Sequence, residues 1–285
     1  MGISFKEVSH NFKGIKKDDI TVAIDNINLN ISDKDEFVAI VGKTGSGKST
    51  LLQHMNALAL PTSGVVEIFD NVITPKKRKN PPLKEVRKRV GFVFQFPEYQ
   101  LFEETVLKDI MFAPINFGLS KEEAKKKAIE IAKMLHIEHL LKKSPFNLSG
   151  GQMRKCAIAG ILSYDPDILL LDEPTRGLDP KAAKDIMEMF YEIFKKTGKT
   201  IVIISHDMNV VYKYATRVVV MNDSKITYDG SKEKLFETDI YKENHLTKPD
   251  VLNLVDYLNE KFNYGINYRT YTLEDLIKKV VAKHE

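Results

Sequence analysis

The sequence predicts an α/β fold in which a mixed or parallel core sheet with crossover helices adjoins an antiparallel β subdomain. In the second half of the chain, apolar runs of strand length alternate with segments of helical periodicity, which is typical of a parallel sheet. The predicted strands there are residues 168–171, 200–204 and 217–221, and the predicted helices are residues 180–195 and 208–214. In the first forty residues apolar and polar positions alternate, as at residues 27–31, and this favours antiparallel strands. A glycine-rich octapeptide directly follows the apolar run of residues 37–41, which indicates a strand–turn–helix unit.

The middle of the chain adds two strands and two helices to this prediction. Residues 64–69 and 90–94 read as strands, the second of them buried. Between residues 120 and 141 the pattern is helical, beginning at Ser120, which with Glu123 makes a capping box. A further helix is predicted at residues 153–162. These central helices lie between the predicted strands of residues 90–94 and 168–171.

The C-terminal tail changes character and predicts two short amphipathic helices. The first covers residues 249–262, and the second covers residues 273–281 after a capping threonine, Thr272. Helices this short do not bury an apolar stripe alone. They therefore pack either on the main domain or on another subunit, and the sequence leaves both alternatives open.

Composition narrows the class of protein. The chain has 285 residues, 43% of them hydrophobic, and a net charge of +4, which is enough apolar material for a sizeable core and only mildly basic. The longest apolar runs have strand length, so we expect no transmembrane helix and no signal peptide. A single cysteine, Cys156, excludes an internal disulfide and suits the cytosol.

One basic cluster, residues 76–79, raises the question of nucleic-acid binding. It contains no aromatic residue on which a base could stack, and Pro81 and Pro82 follow it. The sequence therefore favours a solvated surface loop over a nucleic-acid contact.

The octapeptide after the first core strand has the pattern G-x-x-x-x-G-K-S. Its residues are Gly42, Lys43, Thr44, Gly45, Ser46, Gly47, Lys48 and Ser49. Glycines let successive backbone N–H groups converge on an anion, and the start of the following helix, which includes Thr50, adds a positive dipole end. Lys48 supplies a mobile charge for the β- and γ-phosphates, and the Ser49 hydroxyl can reach Mg²⁺. The sequence therefore predicts a nucleoside triphosphate site.

Acidic and polar residues follow other buried strands. Asp172 ends the strand of residues 168–171, where ligands bind in such folds, and it can hold Mg²⁺. Glu173, next to it, is placed to accept a proton from an attacking water. Gln95 follows the strand of residues 90–94 and could contact Mg²⁺ or that water, while His206 follows residues 200–204 and could bind the γ-phosphate.

A second phosphate-seeking segment is L-S-G-G-Q at residues 148–152. Ser149 can cap the helix that follows, and Gly150 and Gly151 expose backbone N–H groups at its positive end, next to Gln152. A capped helix alone would explain part of this pattern. All five residues, followed shortly by the acidic strand end, indicate a nucleotide site instead.

From about Ser4 to Phe236 the chain resembles the ATP-binding cassette (ABC) ATPase family. The resemblance implies a P-loop ABC ATPase fold with Walker A at residues 42–49, the Q-loop glutamine at Gln95 and the signature at residues 148–152. It further implies Walker B at residues 168–172, the catalytic glutamate at Glu173, the D-loop at residues 177–179 with Asp179, and the switch histidine at His206. Phe12 would stack on adenine, where the family more often has tyrosine. Residues 175–177 depart slightly from the family, since Arg176 replaces a commoner small residue.

The resemblance also implies domains and an assembly. Residues 1–245 would form the ABC ATPase domain, with a helical subdomain at about 97–165 that touches a membrane partner, and residues 246–285 a C-terminal helical extension. Two ATPase domains would pair head to tail, each signature covering the ATP of the other. ATP and Mg²⁺ are the implied substrate and cofactor, and ATP hydrolysis releases the pair.

Residues 91–106 are similar to the ATPase subunits of energy-coupling factor (ECF) transporters, most of all to the second of their two paired ATPases. The implied role is ATP-driven uptake of a vitamin, another micronutrient or a transition-metal ion. The implied partners are a second ATPase forming a heterodimer, a transmembrane coupling protein and a membrane-embedded substrate-binding component, with no nucleic acid. The chain would then be peripheral, on the cytoplasmic face of the cell membrane. We further expect Glu98, Glu103 and Glu104 to form an acidic rim for basic residues of the coupling protein.

Three other classes compete with this interpretation. A soluble ABC ATPase acting on ribosomes or nucleic acid would normally carry two cassettes, a coiled-coil insertion or a basic arm. A P-loop nucleotide kinase would have no reason for L-S-G-G-Q or the D-loop. A non-hydrolysing scaffold is excluded only by measured turnover. The transported substrate is not encoded in this chain, because the membrane component selects it.

Overall fold

The computed structural model describes residues 2–14, 20–269 and 272–282. The strands in these ranges are β1 (Ile3–Lys13), β2 (Ile20–Ile31), β3 (Phe37–Gly42), β4 (Ser63–Ile68), β5 (Asn71–Ile73), β6 (Val90–Val93), β7 (Ile168–Asp172), β8 (Thr200–Ile204), β9 (Arg217–Asn222) and β10 (Lys225–Gly230). The helices are α1 (Lys48–His54), α2 (Leu83–Arg89), α3 (Val106–Asn116), α4 (Lys121–Met134), α5 (Gly150–Leu162), α6 (Pro180–Thr197), α7 (Met208–Tyr214), α8 (Lys232–Glu237), α9 (Ile240–Glu243), α10 (Asp250–Phe262) and α11 (Leu273–Val281). Short 3-10 helices lie at Lys77–Lys79, Pro97–Gln100, Glu138–Leu140 and Pro145–Asn147.

The core sheet has the strand order β10-β9-β3-β8-β7-β6. Its strands run parallel except β10, which pairs antiparallel with β9. Every residue of β3 and β8 is buried. Layers cover both faces of such a sheet, so its strands read as unbroken apolar runs rather than alternating ones.

A second sheet, in the order β2-β1-β4-β5, is antiparallel throughout. Its inward side chains and those of α1 pack on one face of the core sheet, in a cluster that includes Phe5, Ile24 and Leu51. The other face is covered by α3 to α7, in a cluster that includes Ile110 and Phe190. The predicted antiparallel β subdomain and mixed core sheet are confirmed.

The central helices differ from the prediction at their ends. The capping box of Ser120 and Glu123 starts α4 as expected, but the helix ends at Met134 and not at residue 141. His136 has a φ of 57°, which stops the helix, and a 3-10 turn follows. α5 begins three residues earlier than predicted, at Gly150, because Ser149 already caps it. Cys156, on α5, is buried, and burial raises the pKa of its thiol to about 12.

The C-terminal extension packs on the main body. Leu252 of α10 is fully buried in the main core, and Asn209 of α7 donates to the Asp250 carboxylate at 2.8 Å. Val255, Ile266 and Leu276 form a small cluster that joins α10 to α11. An apolar set on these helices stays exposed, namely Leu254, Tyr257, Phe262, Leu273, Ile277 and Val281. The extension therefore has an inner face on its own chain and an outer apolar face.

Residues 76–79 are exposed and include the 3-10 turn Lys77–Lys79, as expected of a surface loop. Within the described ranges, no helix combines the length and the apolar character that crossing a membrane requires.

Candidate active site

The predicted site residues meet at one edge of the core sheet. β3 ends at Gly42, β7 at Asp172, β8 at Ile204 and β6 at Val93, and these strands are parallel neighbours. Ligands bind at the carboxyl ends of strands in open α/β sheets. The loop of residues 43–47 and the side chains that follow the other three strands therefore face a common region.

The glycine-rich loop has a backbone that only glycine permits at two positions. Gly42 has a φ of 140°, and a Cβ there would lie 2.0 Å from the Met221 carbonyl oxygen. Gly47 has a φ of 97°, and a Cβ there would lie 2.1 Å from the Ala23 carbonyl oxygen. The close approach of β2 and β9 thus shapes the loop, while Lys43, Thr44 and Gly45 at its tip are exposed.

Lys48 is folded into this loop. Its Nζ donates to the carbonyl oxygens of Gly42 at 2.8 Å and Lys43 at 2.6 Å. Burial lowers the pKa of the Lys48 ammonium, and the nearby Glu173 and Asp172 carboxylates oppose that shift. The charge is thus held at the loop by acceptors that a phosphate could replace.

A pair of oxygen ligands lies beside the loop. The Ser49 hydroxyl donates to the Asp172 carboxylate at 3.3 Å. Burial raises the pKa of the Asp172 carboxyl, and the Ser49 hydrogen bond opposes that shift. Among the described residues, the buried Ser46 hydroxyl has no hydrogen-bond partner, so the loop retains an unused polar group.

These groups fit Mg²⁺. In the parts of the chain that the structure describes, no cluster of three or more His, Cys, Asp or Glu residues could hold a metal. Mg²⁺ needs no such cluster, because it takes one or two protein ligands and completes its shell with water and phosphate oxygens. Ser49 and Asp172 supply ligands of that kind.

Glu173 is the centre of a polar cluster. Its Oε1 lies 2.8 Å from His206 Nε2, and its Oε2 accepts from Gln95 Nε2 at 2.9 Å and from Arg176 at 3.1 Å. The residue has a φ of 48° in the left-handed region, and its N–H donates to the Ile204 carbonyl at 3.2 Å. Backbone outliers of this kind occur at functional sites because the surrounding structure imposes them. The structure thus brings together three residues predicted from separate segments.

The remaining predicted residues lie at the starts of α5 and α6 and on β1. Ser149 and Gln152 form a capping box on α5, so the L-S-G-G-Q segment starts a helix with Ser149 and Gly150 exposed. Asp179 is exposed and caps α6 by accepting from the N–H groups of Lys181 and Ala182, both at 3.0 Å. Phe12 lies on β1, is 49% exposed and makes a T-shaped contact with the His10 ring.

The expected acidic rim is wrong for Glu98. Its carboxylate is 13% exposed and pairs with the buried guanidinium of Arg154 at 2.7 Å, because the first turn after β6 folds under α5. Glu104 pairs with Lys108 one turn further along. The sequence did not predict the buried contacts of Arg154, because a buried arginine in the first turns of the L-S-G-G-Q helix has no local sequence signal. It also did not predict that Arg176 donates to Glu173.

The ABC transporter family profile matches residues 24–176. The chain belongs to the ABC transporter family. The match includes β3 with its glycine-rich loop, L-S-G-G-Q and β7. The matched segment therefore contains every residue of the polar cluster around Glu173 except His206.

Individual relatives refine this placement. The energy-coupling factor transporter ATP-binding protein EcfA2 of Bacillus cereus is 49% identical over 247 residues, covering 86% of this chain and 84% of the relative. EcfA2 of Ligilactobacillus salivarius is 47% identical, covering 92% of this chain and 91% of the relative. The predicted membership of the ECF transporter ATP-binding proteins is thereby confirmed, as is the class of activity, that of a transport ATPase.

Solved structures of this family have the same fold. The cbiO1 protein from Clostridium perfringens, described as part of the ABC transporter complex cbiONQ, gives a TM-score of 0.73 at 32% identity, covering 92% of this chain and 95% of that one. The cassette MJ0796, solved as a dimer in a post-hydrolysis state bound to ADP and Pi, gives a TM-score of 0.70 at 33% identity, covering 80% and 98%. The predicted ABC ATPase fold is confirmed.

Proposed function

We propose that this chain is one of the two ATPase subunits of an ECF importer and that it hydrolyses ATP at the Glu173 cluster. The observation that supports this most is the pair of neighbouring contacts at the sheet edge. Glu173 is held by Gln95 and His206. The adjacent Asp172 is hydrogen-bonded to Ser49, at the start of the helix after the glycine-rich loop. A proton acceptor and a metal-ligand pair thus lie side by side at the loop that fits a triphosphate.

Nucleotide binding falls to the loop and one aromatic ring. Backbone N–H groups of the loop surround the phosphates, and the Lys48 ammonium exchanges its carbonyl partners for phosphate oxygens. The exposed ring of Phe12 offers a face to adenine. The proposed ATP-binding residues of this half-site are Phe12, Gly42, Lys43, Thr44, Gly45, Ser46, Gly47, Lys48, Ser49 and Thr50.

The metal ligands are Ser49, Asp172 and Gln95. The chemistry that a bound Mg²⁺ supplies is neutralisation of charge on the phosphate oxygens. The amide N–H of Gln95 donates to Glu173, so the amide oxygen of Gln95 remains available for a metal or a water.

The hydrolytic step assigns separate roles to the members of the cluster. Glu173 accepts the proton of the attacking water as its oxygen bonds to the γ-phosphorus and the bond to ADP breaks. His206 and Gln95 orient that carboxylate, and His206 also reaches the γ-phosphate. These three are the proposed catalytic residues.

The second half of each site comes from a partner ATPase. Ser149 and Gln152 form the capping box of α5, and Asp179 caps α6. Gly150 and Gly151 are the first residues of α5, and the exposed Ser149, Gly150 and Asp179 can face another subunit. The dimer reported for MJ0796 supports such pairing. The EcfA2 names of the relatives support a heterodimer, in which this chain is the second type of ATPase.

The membrane partners bind the helical region. We place the ATPase domain at residues 1–245 and its helical subdomain at residues 97–165. The side chains of Tyr99, Phe102 and Phe112 are exposed in this subdomain and provide an aromatic docking surface. We assign this surface to a transmembrane coupling protein that joins the ATPases to a membrane-embedded substrate-binding component. The chain would then be a peripheral protein on the cytoplasmic face of the membrane, and the transported substrate would be a vitamin or another micronutrient. Residues 246–285 form its C-terminal helical extension.

Co-purification tests this proposal. The tagged chain, isolated from the membrane fraction of its own cells, should carry a second ABC ATPase and integral membrane proteins, and the complex should hydrolyse ATP. Nuclease treatment should remove nothing from it. Recovery of ribosomal RNA or other nucleic acid in place of membrane proteins would instead identify a soluble ABC ATPase acting on a ribosome or nucleic acid.

A further inference from the structure

Arg154 is an arginine buried at a junction of three segments. Its side chain is 2% exposed. Nε and Nη2 donate to the two oxygens of Glu98 at 3.0 and 2.7 Å. Nη1 donates to the carbonyl oxygens of Pro174 at 3.2 Å and Arg176 at 2.8 Å. The guanidinium is thus bound by a carboxylate on one side and by main chain on the other.

The two sides belong to different parts of the site. Glu98 lies in the Q-loop segment, which we define as residues 95–98, after β6. Pro174 and Arg176 lie in the Glu173 loop, which we define as residues 173–176, after β7. Arg154 itself lies on α5, in the helical region. One side chain therefore joins the helical region, the Q-loop segment and the loop that carries the proposed general base.

A second set of contacts joins the same two loops. Gln95 and Arg176 both donate to Oε2 of Glu173. The Q-loop segment is thus attached to the Glu173 loop at Gln95 and, through Arg154, at Glu98. The position of the Glu173 loop is consequently fixed relative to the helical region.

Arginine is the side chain that this junction requires. A planar guanidinium can bind a carboxylate with two N–H groups while a further nitrogen donates to carbonyl oxygens. Lysine retains the charge but has no fork with which to span both sides. Removal of either charged partner would leave the other buried and unpaired.

We infer that Arg154 is a positioning residue for ATP hydrolysis, which holds the Glu173 loop to the Q-loop segment and to the helical region. This rests on the proposed role of Glu173 as the general base. Arg154 touches neither nucleotide nor water in this role. Arg154 acts by fixing the position of the Glu173 loop. Loss of the Arg154 side chain therefore lowers kcat and leaves ATP affinity unchanged.

The test uses the complex purified with its partners. ATPase kcat and KM, affinity for a fluorescent ATP analogue and thermal unfolding are measured for the parent and for Arg154→Gln. We expect kcat to fall about tenfold or more, since small misplacements of a catalytic group have effects of that size, with ATP affinity within about twofold. The kcat of Arg154→Lys should lie between those of the parent and Arg154→Gln. Glu98→Gln retains the shape of the glutamate but removes its charge, and it should lower kcat in the same way as Arg154→Gln.

Arg217 provides the matched control. Its guanidinium also binds a carboxylate with two nitrogens, Asp229 at 2.6 and 2.7 Å, and donates to the Asn30 carbonyl at 2.9 Å, but it lies on β9 away from both loops. Arg217→Gln should retain the parent kcat even where the unfolding temperature falls.

Each remaining outcome overturns the inference. Parental kcat in Arg154→Gln, in a complex whose parent form hydrolyses ATP, would overturn it while the proposed function stands. An equal loss of kcat in Arg217→Gln would assign the effect to stability. A parent complex without ATPase activity would overturn the proposed function and, with it, this role of Arg154.

Discussion

At the scale of single residues, the site depends on how Glu173 is held. Both carboxylate oxygens accept from other side chains, and the backbone sits in the left-handed region. The Glu173 side chain therefore has little conformational freedom, so a substitution can change its chemistry without changing its position. An isosteric amide retains the position and removes the proton acceptor.

Glu173→Gln should therefore lower ATP turnover by about 10²-fold or more, the usual scale for a lost general base, while ATP still binds. Steady-state phosphate release and binding of a fluorescent ATP analogue measure the two quantities. The control is Glu188→Gln, the same change at a glutamate that pairs with Lys213 on the surface, and it should retain the parent rate. Near-parental turnover of Glu173→Gln would place the base elsewhere.

The residues that could be predicted are those whose chemistry is local in sequence. Gly42, Gly47 and Lys48 follow one another along a single turn, so their pattern alone indicates a phosphate loop. Arg154 and Glu98 are separated by 56 positions, and their pairing depends on how α5 packs over the turn after β6. Neither residue type nor spacing reports such a contact. For that reason an acidic rim was expected where the structure has a buried ion pair.

At the scale of secondary-structure elements, α1 carries a buried titratable group at its C-terminal end. His54 is fully buried, and its Nδ1 lies 2.7 Å from the Thr50 carbonyl oxygen. A carbonyl only accepts, so Nδ1 carries the proton and Nε2 is the basic nitrogen. Among the described residues, Nε2 has no hydrogen-bond partner. Burial, with a contribution from His10, lowers the pKa of His54 to about 4.

This shift predicts a loss of stability in acid. In the unfolded chain His54 binds a proton below about pH 6.5, whereas in the folded chain it stays neutral down to about pH 4, so stability falls as the pH drops through that window. The His54 contribution should lower the free energy of unfolding by about 2 kcal/mol between pH 7 and pH 5. Urea titrations of the parent and of His54→Leu at both pH values measure it. The same pH dependence in both proteins would contradict the assignment.

Strands were predicted more accurately than helix ends. β3, β7 and β8 are continuous apolar runs because both faces of the core sheet are covered, and that pattern is visible in sequence. The end of α4 depends on His136 adopting a φ of 57°, which no periodicity indicates. The apolar residues beyond it continue the pattern although the helix has stopped.

At the scale of the whole molecule, the C-terminal extension has both an inner and an outer apolar face. Leu252 fills the main core, and Tyr257 on the same helix is 53% exposed. The sequence left open whether the extension packs on its own domain or on another subunit. The described contacts account for the inner face alone.

Truncation before Pro249 should therefore lower the unfolding temperature, because it uncovers the site of Leu252. In the full chain, Leu252→Ala should cost about 2–5 kcal/mol and Tyr257→Ser about 0.5 kcal/mol or less. Calorimetry measures these changes, and an unchanged unfolding temperature in the truncated chain would contradict the packing described here. Sedimentation of the same proteins with ATP and the co-purified partner ATPase separates the two roles. A weaker subunit pair in Tyr257→Ser assigns the outer face to pairing, and an unchanged pair assigns the extension to its own chain.

The burial of Cys156 has a practical consequence. It is the only sulfhydryl in the sequence, and with a pKa of about 12 it is almost wholly protonated at neutral pH, where maleimides react with the ionised form. Fluorophores or spin labels can therefore be attached to cysteines introduced at chosen exposed positions without first removing the native one. Opening and closing of the subunit pair could then be followed by energy transfer on an otherwise unaltered chain.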